Sequence, residues 1–251
     1  MASPSDRRTT RPLARDLSLA SVFCFDDLDH LEAVYAGAEE GFLYARDGHP
    51  NARQLADALA GLEGAEAGLI LSSGMGATAA VLLDRLQPGD HVVAGAELYG
   101  KTRLLLGRRL ASFGVEARFV DPSDLAAVES AVRGGAKMVW VETISNPCMR
   151  VAPLEPLADV AHAAGALLVV DSTFSPPPIL RPIQSGADLV VHSLTKILSG
   201  HSDVTLGGVA GRKDLVDSIA QTASVFGWHA RSEEHTSELQ SHSDLVCRLL
   251  L

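Results

Sequence analysis

Short apolar runs alternate with amphipathic stretches along most of this chain, and each run has a sequence period. "AGLILSS", "HVVAG", "VEARFV", "AKMVWVE", "ALLVVD" and "ADLVVHS" are runs of strand length, and "GGVAG" is a further candidate. Between them, "PNARQLADALAGLEG", "GMGATAAVLLDRL", "TRLLLGRRLASFG", "PSDLAAVESAVRGG" and "LEPLADVAHAAG" carry apolar residues at helical spacing. Pro50 stands near the start of the first of these helices and Gly61 or Gly64 at its end. That is the usual asymmetry of helix punctuation. Helical periodicity also begins near "FDDLDHLEAVYAGAEEG". Nearly continuous apolar strands, each followed by a helix, predict an α/β fold. Its sheet is mostly parallel and covered by helices on both faces. In such sheets the residues just past the carboxyl ends of the strands face the ligand crevice.

Those strand exits carry the candidate chemistry. After "AGLILSS" comes "GMG", Gly74 to Gly76, at a helix start, where free N–H groups and the helix dipole favour an anion. The same residues also suit any tight strand–helix turn. The spacing matches neither a P-loop nor a G-x-G-x-x-G fingerprint, which argues against a Rossmann-type dehydrogenase. Glu142 and Asn146 follow "AKMVWV", and Asn146 before Pro147 could equally cap a turn. Asp171 ends "ALLVV", where it could bind a ligand, bind a metal or cap a turn. Lys196 follows the last such strand, in "HSLTKILSGHSD", and Tyr99 follows "HVVAG". An anion nest, an acid and a lysine at strand ends together suit one cofactor, pyridoxal 5'-phosphate. Its phosphate needs N–H and hydroxyl donors and its aldehyde a lysine amine. Its pyridine nitrogen needs a carboxylate.

Composition narrows the choice. The chain of 251 residues is 47% hydrophobic, with a formal net charge of -10. An acidic chain with scattered basic residues and 5% aromatics gives a nucleic-acid role no support. No apolar stretch approaches the roughly 20 residues of a membrane span, and no secretory leader pattern opens the chain. Cys24, Cys148 and Cys247 are widely spaced, as for cytosolic thiols, and predict no metal site. Localisation is therefore expected to be cytoplasmic.

Two stretches stand apart. The polar start, "MASPSDRRTTRP", reads as an arm, either mobile or docked on a partner chain. Residues 231–251, "RSEEHTSELQSHSDLVCRLLL", break the α/β pattern. They read as a non-native tail, the translation of a short-read sequencing adapter. The alternative is an amphipathic helix or solvated tail.

Six stretches, "YARDGHPN", "SSGMGA", "ELYGKTRLLL", "VETISNP", "VVDSTF" and "HSLTKILSGHSD", occur in order over roughly residues 17–230. In them the chain resembles the Cys/Met-metabolism family of pyridoxal-phosphate enzymes. That family includes cystathionine γ-synthase, cystathionine γ- and β-lyases, methionine γ-lyase and O-acylhomoserine sulfhydrylases. The resemblance implies the large domain of an aspartate-aminotransferase-like (fold type I) architecture over residues 51–230, incomplete here. Residues 1–50 would be a segment contacting a neighbouring subunit, and the family's small C-terminal domain would be missing.

It implies Lys196 as the Schiff-base lysine and proton shuttle, and Asp171 as the partner of the pyridine nitrogen. The Gly74 and Met75 amides, with the Ser193 and Thr195 hydroxyls, would hold the phosphate. Tyr99 would stack on the ring and assist catalysis. Thr173 would lie near the ring, Asn146 near its hydroxyl, and Glu142 would support the site from behind. Tyr44 and Arg46 would reach the phosphate of a neighbouring subunit in a homodimer or homotetramer. The implied reaction is β- or γ-elimination, or γ-replacement, on a small sulfur-containing or O-acylated amino acid. An aminotransferase-like activity, or an inactive cofactor-binding piece, is the alternative. Lys101 and "HPN" (His49 to Asn51) depart from the family pattern. The arginine expected to clamp the substrate carboxylate has no counterpart in residues 231–251, so this chain is expected to turn over no substrate.

Overall fold

A computed structural model describes residues 16–230. The adapter-like stretch and the whole polar start, residues 1–12, lie outside them. Seven strands form one sheet: β1 (Ala67–Leu71), β2 (His91–Gly95), β3 (Glu116–Val120), β4 (Met138–Glu142), β5 (Leu167–Asp171), β6 (Leu189–Ser193) and β7 (Gly207–Gly211). Their order is β1-β7-β6-β5-β4-β2-β3, and every adjacent pair is parallel except those that β7 makes with β1 and β6. The expected mostly parallel sheet is thus present, and "GGVAG" is its single antiparallel strand.

The helices are α1 (Leu28–Tyr35), α2 (Pro50–Glu63), α3 (Gly74–Arg85), α4 (Gly100–Leu104), α5 (Leu125–Val132), α6 (Leu154–Ala163) and α7 (Lys213–Phe226). The starts of α1, α3 and α5 are capped by Asp27, Ser73 and Asp124, each accepting a backbone N–H of the first turn. Gly64 ends α2 at φ 71, the left-handed turn that glycine makes without a side-chain clash.

Alternating residues of the buried strands feed two faces. Met138, Trp140 and Val169 join Leu71, Leu82 and Ile219 under α3 and α7. Val139, Val141, Leu168 and Val170 join Val128, Leu157 and Ala161 under α5 and α6. A third cluster, around Leu55, Leu59, Ile70 and Leu206, seats α2. Burial at about 25 cal/mol per Å² makes these faces the main stabilising term. β7 fits between its neighbours because Gly207 has no side chain; a Cβ there would lie 2.1 Å from the Ser73 carbonyl oxygen.

Two elements differ from the sequence expectation. "TRLLLGRRLASFG" is not one uniform helix: α4 widens into a π turn at Leu105–Arg109, followed by a 3-10 turn at Leu110–Phe113. The widened backbone still buries Leu106 and Leu110. Apolar spacing reports which residues face the core and cannot separate an i→i+4 ladder from an i→i+5 one. Helix α7 was not assigned from sequence, although Leu215, Val216, Ile219 and Ala223 have helical spacing and are buried.

The N-terminal segment is tied to the main body. Asn51 exchanges two hydrogen bonds with Ser18, its Oδ1 accepting from Ser18 N at 3.0 Å and its Nδ2 donating to Ser18 O at 2.9 Å. Two of the residues departing from the family pattern, His49 and Asn51, thus do structural work. His49 caps α2, its Nδ1 accepting from Asn51 N while Nε2 lies 3.0 Å from Ala20 O. Burial lowers the His49 pKa, with the Ala20 carbonyl opposing it.

Candidate active site

The carboxyl ends of β4, β5 and β6 and the start of α3 surround one cavity of about 250 Å³. Ten of the residues singled out from sequence line it: Gly74, Met75, Tyr99, Glu142, Asn146, Asp171, Thr173, Ser193, Thr195 and Lys196. Each is brought there by an element whose reason to exist is the core behind it.

The anion end is the N-terminus of α3. Ser73 Oγ accepts Gly76 N at 3.0 Å and Ser73 O accepts Ala77 N at 2.9 Å. The Gly74 and Met75 amides precede the first intrahelical donor and have no acceptor within the helix. Gly74 packs on Ser193 so closely that a Cβ would lie 2.6 Å from Ser193 Cβ. The absent side chain leaves the amide row and the Ser193 hydroxyl side by side. Thr195 behaves differently. Its Oγ1 donates to Leu206 O at 3.1 Å and accepts from Leu206 N at 3.0 Å. Its hydroxyl proton therefore already serves the turn that leads into β7.

The acid end is Asp171. Its Oδ1 accepts both Thr173 N at 3.0 Å and Thr173 Oγ1 at 2.6 Å. Thr173 Oγ1 in turn accepts Ser193 N at 2.8 Å, so one threonine locks the carboxylate to the anion end. Asp171 keeps some exposed surface because it faces the cavity, but protein encloses it otherwise. Burial raises its pKa, opposed by the Thr173 hydrogen bonds and then by His192. Among the described residues its oxygens make no ion pair, and a protonated ring nitrogen would supply one.

Lys196 lies on the turn after β6, its N–H donating to Ser193 O at 3.1 Å, and its side chain lines the cavity. Tyr99 stands at the start of α4, with its ring on the cavity wall and 45% exposed. Asn146 precedes Pro147 across a cis peptide bond. Glu142 lines the same cavity, and its Oε1 accepts Tyr99 N at 2.5 Å. Its pKa is pushed up to about 7, chiefly by burial, with neighbouring Asp171 adding to the rise.

Tyr44 and Arg46 are not brought to this cavity. The Arg46 guanidinium lies 5.2 Å from the Tyr44 ring centroid, and its Nε is 3.8 Å from Asp47. Sequence reasoning missed Ser73, Thr102, Ile144, Phe174 and Thr205, which also line the cavity. Ser73 carried a signal, as a serine directly before a helix start. It also missed the pair behind the sheet: Glu63, at the end of α2, and His192 are both fully buried and joined Oε1 to Nε2 at 2.5 Å. Nothing in their local sequence links residues 129 positions apart. Among the described residues no group of three or more His, Cys, Asp or Glu could hold a metal ion, and no helix is long and apolar enough to cross a membrane.

The residues present fit pyridoxal phosphate: unpaired helix-start amides and a serine hydroxyl at one end, a cation-seeking carboxylate at the other, and a lysine beside both. Known proteins agree. The chain is 43% identical over 199 residues to an L-methionine gamma-lyase from Pseudomonas putida, covering 79% of this chain and 50% of that protein. Its fold matches cystathionine gamma synthase from Xanthomonas oryzae pv. oryzae, solved in complex with cystathionine. There the TM-score is 0.87 and the identity 33%, over 94% of this chain and 59% of that one. It also matches a Campylobacter jejuni chain described as an O-acetylhomoserine (thiol)-lyase, solved with N'-pyridoxyl-lysine-5'-monophosphate. The TM-score is again 0.87, with 25% identity, over 94% of this chain and 67% of that one. The chain spans about half the length of the curated relatives it matches. The model of one family covers residues 2–236, and on that match the chain belongs to the Cys/Met metabolism PLP-dependent enzymes.

Proposed function

We propose that the protein to which this chain belongs catalyses β- or γ-elimination, or γ-replacement, on sulfur-containing or O-acylated amino acids in the cytoplasm. The observation that carries the reading is the convergence of Lys196, Asp171, Tyr99 and the start of α3 on one cavity. Bound pyridoxal phosphate supplies an electron-accepting ring that stabilises negative charge at the substrate α-carbon.

The residues divide the remaining work. The Gly74 and Met75 amides and the Ser193 hydroxyl hold the phosphate. Thr195 joins them once its hydroxyl turns from Leu206. Asp171, oriented by Thr173, would pair with the ring nitrogen and keep it protonated. Asn146 would lie near the ring hydroxyl. The Tyr99 ring would cover the ring face and assist departure of the leaving group. The Lys196 amine would anchor the cofactor, then take the substrate Cα proton and return it. For a γ-reaction the same mobile base removes a Cβ proton as well.

Tyr44 and Arg46 serve the phosphate of a neighbouring subunit in a homodimer or homotetramer. Supporting this, both lie outside the chain's own cavity, and Tyr44 is 44% exposed. A guanidinium fork suits a phosphate.

The test is chemical. The 251-residue chain is mixed with pyridoxal phosphate, reduced with borohydride and digested, and the pyridoxyl peptide is mapped. The expected label is on Lys196, lost in Lys196→Ala. A label on another lysine, or none, refutes the site.

A further inference from the structure

Glu142 and Asp171 are register partners at the ends of β4 and β5, and both line the same cavity. Their donors differ. Asp171 is held by Thr173, from its own strand exit. Glu142 reaches across to the exit of β2, where it accepts the N–H of Tyr99 at 2.5 Å. Tyr99 has no side-chain cap on α4, and its backbone, at φ -46 and ψ 131, stands outside the helix it precedes. Among the described residues its N–H makes no other hydrogen bond, so the carboxylate of Glu142 anchors the residue that carries the ring.

The charged groups facing Glu142 come from several elements. Asp171 stands beside it on β5, and Lys196 lines the cavity from the turn after β6. Glu97 and Arg150 line a smaller adjoining cavity of which Glu142 is also a wall. Arg150 is already engaged, its guanidinium 3.4 Å from Glu97 and 3.5 Å from Asp121. The Asn146 backbone also faces Glu142 and lowers its pKa. Asp171 is thus the immediate like charge, and it is the one whose charge a bound cation would cancel.

We propose that Glu142 is a positioning residue for Tyr99, and that its hold strengthens when a cationic ring nitrogen pairs with Asp171. Two carboxylates side by side in a part-buried site resist double ionisation. A cation on Asp171 removes that repulsion, so Glu142 ionises at lower pH. An ionised carboxylate accepts an N–H more strongly than a protonated one. Filling the ring site therefore fixes the tyrosine that covers it. The second half rests on the functional reading above; the first half does not.

The chain has three tyrosines, Tyr35, Tyr44 and Tyr99, so selective 15N-tyrosine labelling gives a sparse amide spectrum. Tyr99→Phe identifies the Tyr99 peak by its loss. Without cofactor, the Tyr99 amide proton is expected to titrate with a midpoint near the Glu142 value of about 7. In Glu142→Gln the peak stays and the titration disappears. With excess pyridoxal phosphate, the wild-type midpoint is expected to fall by about one pH unit or more. A Tyr99 amide that does not titrate in the wild type, or titrates equally in Glu142→Gln, overturns the proposal. An unchanged midpoint with the cofactor demonstrably bound overturns the coupling. If pyridoxal phosphate does not bind while the amide titration persists, the functional reading fails and the hold of Glu142 on Tyr99 stands.

Discussion

Replacing Gly74 with alanine tests the anion end of the site by adding one methyl group. The new Cβ would lie 2.6 Å from Ser193 Cβ, 2.9 Å from Ser193 Oγ and 3.0 Å from Ser193 Cα. Carbon atoms in contact sit about 3.5–4.0 Å apart, so α3 and β6 must separate locally by roughly 1 Å. Rotating a side chain cannot relieve this, because Cα and Cβ of Ser193 move only with the strand. Gly74 does not adopt a positive φ, so the cost is steric rather than conformational. Overpacking of this kind costs about 1–3 kcal/mol, and alanine recovers up to about 1 kcal/mol of helix propensity. Net destabilisation should therefore be modest, about 3 kcal/mol at most.

Binding should weaken as well. Displacing positioned groups by about 1 Å can cost on the order of 100-fold, so pyridoxal phosphate affinity should fall by at least about tenfold. Absorbance titration with the cofactor measures the affinity, and urea unfolding of the apo chain measures stability. Gly61→Ala is the control. It lies inside α2 with nothing within 4 Å of its Cβ, so the variant should gain about 0.5–1 kcal/mol with binding unchanged. Wild-type affinity in Gly74→Ala would refute the close packing of α3 on β6 as the basis of the anion end.

Further expectations follow from the buried polar groups. Glu142 has a folded-state value of about 7 against an ordinary 4.5, so the native apo chain binds a proton more readily than the unfolded chain. Its contribution is thus fully present at low pH and is lost as pH rises from 4.5 towards 7, about 3 kcal/mol in all. Glu142→Gln should flatten that loss in urea midpoints compared at roughly pH 5 and 8, and parallel curves for the two proteins would contradict it. Asn51 is fully buried, and Asn51→Ala deletes both hydrogen bonds to Ser18, at a cost of about 1–3 kcal/mol. Limited proteolysis should then cut near Ser18 faster than in the wild type, and equal rates would show that the segment is held otherwise. His49, whose pKa is lowered by burial, contributes stability that is present above the ordinary histidine range and lost as pH falls through it. His49→Gln should reduce the loss of stability on acidification, measured by thermal unfolding; an undiminished loss would assign it to other groups.

Much of the site was legible because chemistry sits at strand exits. An apolar run followed by Asp171, or by Ser193 and Lys196, marks both a buried strand and the residue that leaves it. Gly74, Met75, Tyr99, Glu142, Asn146, Asp171 and Lys196, named on that basis, share one cavity, and the family resemblance added Thr173, Ser193 and Thr195 to it. Thr195 shows the limit of that reasoning: its type suits a phosphate, yet Leu206 occupies its hydroxyl in both directions. Tyr44 and Arg46 lie away from the cavity, and no pattern within one chain can say what they meet. Glu142 was placed behind the site, but its hydrogen bond to Tyr99 spans 43 positions and leaves no trace in either local sequence.

Period and punctuation in the sequence are sufficient for the alternating α/β layout, because burial of one helix face or a whole strand demands apolar residues at fixed spacing. Strand order, the antiparallel turn of β7 and the separation of Asp171 from Lys196 in space are decided by packing. They depend on which surfaces fit, as Gly207 fits against Ser73 and Gly74 against Ser193. Such fits join residues distant in sequence, and a carboxylate such as Glu142 acquires its partner and its raised pKa only when the sheet has closed around it.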